Sequence, residues 1–398
     1  MSGIYLHIPF CKSRCVYCGF YSTTGMTAHT EQAYVNALCR ELQLRQDYLP
    51  SSEYVNTIYF GGGTPSVLSA EFLHTVVHTI KDVYGAMLRL REFTMECNPD
   101  DVTPQLASTL VELGVNRISM GVQSFNPQIL SFLHRRHNAS QVAQAVETFR
   151  AAGITNISLD LIYGIPGQTQ DMWLSDIRQT IALSVPHISS YALSYEDDTP
   201  LTRLLNKGEI TPQSDEEYLQ MYLTLVNALS DAGYEHYEIS NFSLPGYRSL
   251  HNSSYWNGTP YLGVGAGAHS YRGITATPSG FGTTSRQWNI CDIGQYTSAY
   301  GASSSEADRS AERQSAIEQV VTCETLDDDE QYNDIIVTQL RRAEGIDLSC
   351  LPHRYRAHLL RAAQKSIDNE TLALSPTHIH LTRKGLFISD AIMTELII

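Results

Sequence analysis

The segment Cys11-Lys12-Ser13-Arg14-Cys15-Val16-Tyr17-Cys18 puts three thiols on one short loop, directly after the apolar run 4–8. Thiolate sulfur is a soft donor, suited to an iron–sulfur cluster or to zinc rather than to a hard cation. A structural zinc site closes with four ligands. No fourth ligand follows here: Gly19, Phe20 and Tyr21 come next, and Cys39, Cys97, Cys291, Cys323 and Cys350 stand singly. Three cysteines on a four-iron cluster leave one iron without a protein ligand, a position open to a chelating small molecule. The competing readings of this spacing are a zinc knuckle and three unrelated thiols.

Outward from this loop, short β-rich runs alternate with amphipathic segments. The pattern predicts strands over 4–8, 57–60, 93–97, 117–120, 156–160 and 187–193, and helices over 31–47, 69–84, 104–113, 140–152 and 171–184. Such alternation marks a parallel α/β sheet, and six units predict an open partial (β/α)6 barrel rather than a closed barrel of eight. The unusual residues fall where the predicted strands end. The cysteine loop follows the first, Gly61-Gly62-Gly63-Thr64-Pro65 the second and Glu96-Cys97-Asn98-Pro99 the third; Gly121-Val122-Gln123 follows the fourth, and 160–167 closes the fifth. Barrel-type folds bind ligands at that rim, so one site drawn from five strands is the simplest account. Glycines let backbone approach a ligand closely, although a tight strand–helix turn explains them equally well. Glu96, on an otherwise apolar strand, can meet a cationic amine or enter a structural ion pair. Gln123, Arg135 and Asp160 recur around the same rim.

Composition sets the bounds. A chain of 398 residues with 42% hydrophobic content is long enough for two domains. A net charge of −15 argues against a nucleic-acid partner, which needs a basic face. No apolar run reaches the ~18 residues of a membrane span, and the first residues lack the charged start and apolar core of a signal peptide, so the expected location is the cytoplasm. Eight cysteines in so long a chain are too few for a disulfide framework.

Beyond residue 197 the alternation ends. A long helix is expected over 214–233, and His251-Asn252-Ser253-Ser254-Tyr255-Trp256 follows. An imidazole next to two aromatic rings suits either a heme ligand with the rings against the macrocycle, or an interface histidine with its nitrogens satisfied. His269, in the glycine-rich stretch 261–270, is a second candidate, better explained as a histidine anchored to backbone. Residues 273–326 are rich in small polar residues and read as loops. The acidic run 327–330 favours a helix start through the macrodipole and needs no ligand. The C-terminus reads as a strand or turn and a short apolar helix.

As a set these motifs resemble the radical S-adenosylmethionine (SAM) enzymes, whose CxxxCxxC loop binds a [4Fe-4S] cluster with SAM on the open iron, and more narrowly the HemN/HemW group. The resemblance implies that Cys11, Cys15 and Cys18 hold the cluster and that Tyr5, Gly63 and Glu96 contact the SAM bound to it. Tyr17, Thr64, Gln123, Arg135, Asp160 and Ala192 match positions that contact a second SAM in HemN. It also implies a core over 1–200, an extension over 201–290 and a winged-helix-like C-terminal domain over 291–398. His251-Asn252-x-x-Tyr255-Trp256 resembles the HNxxYW heme-binding motif of the HemW branch, making His251 a heme ligand. Phe20 stands where HemN has a fourth cysteine, and only ten residues precede Cys11. Both departures point from porphyrinogen decarboxylation toward a heme chaperone. The implied partners are heme and a heme acceptor such as a respiratory protein, with any membrane contact peripheral and made through that acceptor. The alternatives are an oxygen-independent coproporphyrinogen III dehydrogenase and a radical methyltransferase.

Overall fold

The computed structural model describes residues 1–277, 279–301 and 316–398. Strands β1 (Ser2–Ile8), β2 (Val55–Gly62), β3 (Leu88–Cys97), β4 (Arg117–Gln123), β5 (Asn156–Tyr163) and β6 (His187–Ala192) lie side by side in chain order and run parallel. Between them run α1 (Ala28–Leu44), α2 (Ala70–Tyr84), α3 (Pro104–Leu113), α4 (Pro127–Phe132), α5 (Ala139–Ala151) and α6 (Gln170–Ala182). All six expected strands and all five expected helices are present, and α4 is an addition. Thr27, Ser69, Thr103, Asn138 and Thr169 accept backbone N–H groups at helix starts, each satisfying a donor the helix itself leaves open.

A strand's side chains alternate between two faces. Here Ile4, Leu6, Ile8, Ile58, Phe60, Met95, Ile118, Met120, Ile157 and Leu159 are buried in one continuous core. The residues between them, Tyr5, Tyr59, Glu96, Ser119, Ser158 and Asp160, are polar or aromatic. The period-two pattern therefore separates packing from chemistry, and the second set supplies the interior of the partial barrel.

The sheet does not stop at six strands. After α7 (Pro200–Asn206) and α8 (Asp215–Asp231), β7 (Glu235–Glu238) and β8 (Asn241–Ser243) add an antiparallel edge beside β6. Then α9 (Leu250–Trp256) leads into β9 (Tyr261–Val264), which pairs parallel with β1. Beyond it lie β10 (His269–Tyr271), β13 (Thr284–Asn289) and β14 (Val321–Leu326), while β11 (Ala276–Thr277) and β12 (Gly280–Phe281) form a separate hairpin. The expectation of loops over 273–326 is thus corrected for the described residues; 278 and 302–315 lie outside them. These strands are largely polar, so their sequence carries no apolar alternation; β13 is made a strand by pairing with β10, β14 by pairing with β13, and β11 and β12 by pairing with each other.

A buried ion pair fixes this extension to the core. Glu41 and Arg45, one turn apart on α1, are almost wholly buried with Arg45 Nη1 2.9 Å from Glu41 Oε1. Glu41 accepts from the Gly265 N–H at 2.9 Å, Asn289 at 2.8 Å and the Tyr296 hydroxyl at 2.6 Å. Arg45 donates to the Gly263 carbonyl at 3.2 Å and to Gln287 at 2.7 Å. Two charges in the interior thus tie β9, β13 and α10 (Ile293–Gly301) to the first helix.

A second core gathers Tyr332, Ile335, Ile336, Tyr355, Leu359, Ile379, Ile392 and Leu396 around α11 (Asp328–Gln339) and a three-stranded antiparallel sheet built from Ile346–Asp347, His378–Leu381 and Leu372–Leu374. Asp327 caps α11 in a reciprocal pair with Glu330, the role expected of the acidic run. Tyr296, Tyr300 and Val320 pack in the first core, so we propose a unit boundary at Leu326 rather than at 291. Among the described residues no helix is long and apolar enough to cross a membrane.

Candidate functional site

The carboxyl ends of β1 to β6 surround a cavity of about 630 Å³. Cys11, Cys15, Tyr17 and Cys18 border it from the loop after β1, Gly63 and Thr64 from the turn after β2, and Glu96 from β3. Gln123, Arg135, Asp160 and Ala192 complete the ring. Eleven of the thirteen residues that the resemblance assigns to cluster, SAM and heme thus face one space. Tyr5 and His251 do not line it.

The three cysteines are half-buried and unpaired. Among the described residues no three His, Cys, Asp or Glu side chains are gathered as a ready metal site. The thiols share one loop and one cavity, and two of them carry a contact of their own. Thr64 Oγ1 donates to Cys11 Sγ at 3.5 Å, and Arg135 Nη1 donates to Cys15 Sγ at 3.3 Å. Burial raises the Cys11 and Cys18 thiols above their ordinary pKa. The donor set fits a group that prefers soft thiolates and carries its own positive charge to deprotonate them.

Backbone geometry explains the glycines. Gly62 has φ 107°, and a Cβ there would stand 2.6 Å from the His7 ring. At Gly63 a Cβ would meet the carbonyl oxygens of Ile8 and Phe10 at 2.8 Å, so the turn after β2 packs against the start of the cysteine loop. Its N–H donates to Ile8 O at 2.8 Å, and the Thr64 N–H donates to Phe10 O at 2.8 Å. Gln123 has φ 65°, left-handed for a non-glycine residue, at a register shift between β4 and β5. Such strain persists where the surroundings impose it, often at binding sites.

Electrostatics divide the ring. Glu96 accepts from the Tyr59 hydroxyl at 2.7 Å and from the Gly62 N–H at 3.2 Å, yet burial lifts its pKa to about 7, with Asp160 adding to the rise. Asp160 accepts from Ser119 at 3.1 and 3.2 Å and from Ser158 at 3.3 Å, and burial lifts it to about 6. Arg135 donates to Asn98 Oδ1 at 2.6 Å and to the Gly121 carbonyl, and Asn98 donates to Thr64 Oγ1 at 3.1 Å. Beneath this layer Arg117 is 0% exposed, and none of its guanidinium nitrogens has a hydrogen-bond partner among the described residues. Its charge lowers the pKa of both Glu96 and Asp160. Arg117, Tyr59 and Ser119 were missed by the sequence reading; a charge alternating inward on an apolar strand was the available signal.

His251 lies below the cavity, 0% exposed. Its Nδ1 is 2.8 Å from Thr57 Oγ1 and its Nε2 is 3.0 Å from the Tyr255 hydroxyl. The ring stacks on Tyr59 with centroids 5.0 Å apart, and burial drops its pKa to about 3. Tyr5 stacks on the same ring at 6.4 Å, and its hydroxyl lies 3.1 Å from His7 Nδ1. A partition of aromatic rings therefore closes the barrel's interior. Phe20, 69% exposed, stands at the cavity's mouth.

The fold and this ring of residues define a radical SAM protein, and the Radical SAM superfamily pattern matches residues 5–179. The chain belongs to that superfamily and, within it, to the HemN/HemW group, on the HemW side. A heme chaperone HemW from Lactococcus lactis is 41% identical over 270 residues, 68% of this chain and 69% of the relative. Another from Mycobacterium tuberculosis is 31% identical over 397 residues, 99% of this chain and 94% of the relative. The structure of coproporphyrinogen III oxidase (HemN) from Escherichia coli superposes with a TM-score of 0.79 at 20% identity, covering 99% of this chain and 89% of that one. That likeness is one of fold.

Proposed function

We propose that the chain is a heme carrier of the HemW type, working in the cytoplasm, which keeps a [4Fe-4S] cluster and SAM at the barrel rim and hands heme to an acceptor protein. The observation that carries this reading is likeness along nearly the whole chain to a protein named a heme chaperone, joined to the HNxxYW segment at 251–256. Cys11, Cys15 and Cys18 are the proposed cluster ligands. Such a cluster, with SAM on its unligated iron, supplies one-electron reduction of the sulfonium.

The chain's own residues do the rest. Arg135 faces Cys15 Sγ, and its positive charge favours the thiolate. Glu96, itself buried, offers a carboxylate to an ammonium group where a charge pair is stronger than in open water. Asp160, ringed by serine hydroxyls, can receive sugar hydroxyls. Tyr5 packs on Tyr59 with ring centroids 6.0 Å apart and so supports this site from beneath. Gln123 and Ala192 border the space where a second adenosyl group would lie.

The competing reading, coproporphyrinogen III dehydrogenase, is favoured by the shared fold alone. Anaerobically reconstituted protein settles the order. Hemin binding followed by transfer to an apo-acceptor is expected, with no protoporphyrinogen formed from coproporphyrinogen III, SAM and a reductant. Steady formation of that product without heme transfer overturns the proposal.

A further inference from the structure

We infer that heme seats in the cleft between the outer strands and α11 and that His269 is its iron ligand. The inference rests on the heme-carrier reading and adds the place and the ligand.

Heme iron takes an imidazole that has a free nitrogen and room for a flat macrocycle beside it. His251 has neither. Both nitrogens are engaged, its ring is stacked on Tyr59, and it packs so closely on β1 that a Cβ at Gly3 would be 3.2 Å away. On the other side of Tyr255 lies a cleft of about 370 Å³, within the range of small-molecule sites. The last two residues of the HNxxYW segment, Tyr255 and Trp256, open onto it, together with Tyr261 and Tyr271. Tyr255 and Tyr261 meet edge to face at 4.8 Å. Half-buried aromatic rings in one cleft are apolar walls for a planar π-system. In this fold the motif's histidine is the post that holds Tyr255, and its aromatic residues form the wall.

His269 lines the same cleft and is exposed. Neither of its ring nitrogens has a hydrogen-bond partner among the described residues, and its ring lies 6.0 Å from Trp288 in a stacked orientation. The indole nitrogen of Trp256 is buried and also has no hydrogen-bond partner among the described residues. At the rim Arg286, held by Asp334, presents a cation toward which propionate groups can turn. An available imidazole, aromatic walls and a cation at the edge are the three features a metalloporphyrin calls for.

The test uses the full chain as wild type, His269→Ala and His251→Gln. Hemin is titrated and followed by its Soret band; metal-free protoporphyrin IX is titrated in parallel and followed by tryptophan quenching. His269→Ala is expected to weaken hemin binding by about tenfold or more and to shift the Soret band, with added imidazole restoring it. Protoporphyrin IX, which has no iron to ligate, is expected to bind wild type and His269→Ala alike. His251→Gln is expected to keep an imidazole-ligated Soret band even where its affinity falls through the loosened Tyr255, and loss of that band beside an unchanged His269→Ala assigns the iron to His251 and overturns the inference. If wild type binds hemin and His269→Ala keeps its band and affinity, the inference fails while the carrier reading stands. If wild type binds no hemin, both fall.

Discussion

Glu96 is a carboxyl group whose neighbours pull in opposite directions: burial and Asp160 hold the proton on, while Tyr59, the Gly62 N–H and Arg117 favour the anion. Its pKa in the folded protein, about 7, stands above the ordinary 4.5. Between those values the folded state binds the extra proton, so ligand-free stability falls as pH rises through that window and levels above it. Glu96→Gln removes this fall. Allowing for water entering the cavity, the effect is about 1–3 kcal/mol, read as a smaller loss of denaturation free energy from pH 4.5 to 8 than in wild type. An unchanged slope contradicts the assignment. The same variant is expected to bind SAM more weakly above pH 7, where wild-type Glu96 is the anion. The rim residues were legible because each sits in a distinctive motif at a strand end. Arg117 and Tyr59 were not, since a single inward-facing residue on an apolar strand is a fainter mark than a motif.

At the scale of elements, the parallel strands announced themselves through apolar runs punctuated by capped helices. The outer strands gave no such sign. Arg286-Gln287-Trp288 alternates without a clear apolar face, and the feature that holds β13 is a charge pair on α1, far away in the chain. From the sequence, Glu41 and Arg45 look like an ordinary surface pair one turn apart; the fold buries both. Glu41→Ala leaves Arg45 charged, buried and without its partner, at an expected cost of about 3–5 kcal/mol. Amide exchange is expected to quicken first in β9, β10 and β13, ahead of β2 to β5. Uniform quickening across the sheet would contradict this anchoring role.

For the whole molecule, chain length foretold two cores; the boundary proposed at Leu326 left no mark in the sequence because Tyr296, Tyr300 and Val320, which pack on the first core, stand in a polar stretch. The two cavities meet at one aromatic partition. Tyr59 donates to Glu96 on one side and stacks on His251, which is bonded to Tyr255, a wall of the outer cleft. If both proposed ligands bind, this partition is the element through which one can bias the other. Whatever factor saturating SAM applies to hemin affinity, hemin must apply to SAM affinity, and Tyr255→Phe, which cuts the bond to His251 and keeps the ring, is expected to bring both factors to one. Paired titrations measure the two numbers independently, and on the proposed reading such coupling would make heme release depend on bound SAM.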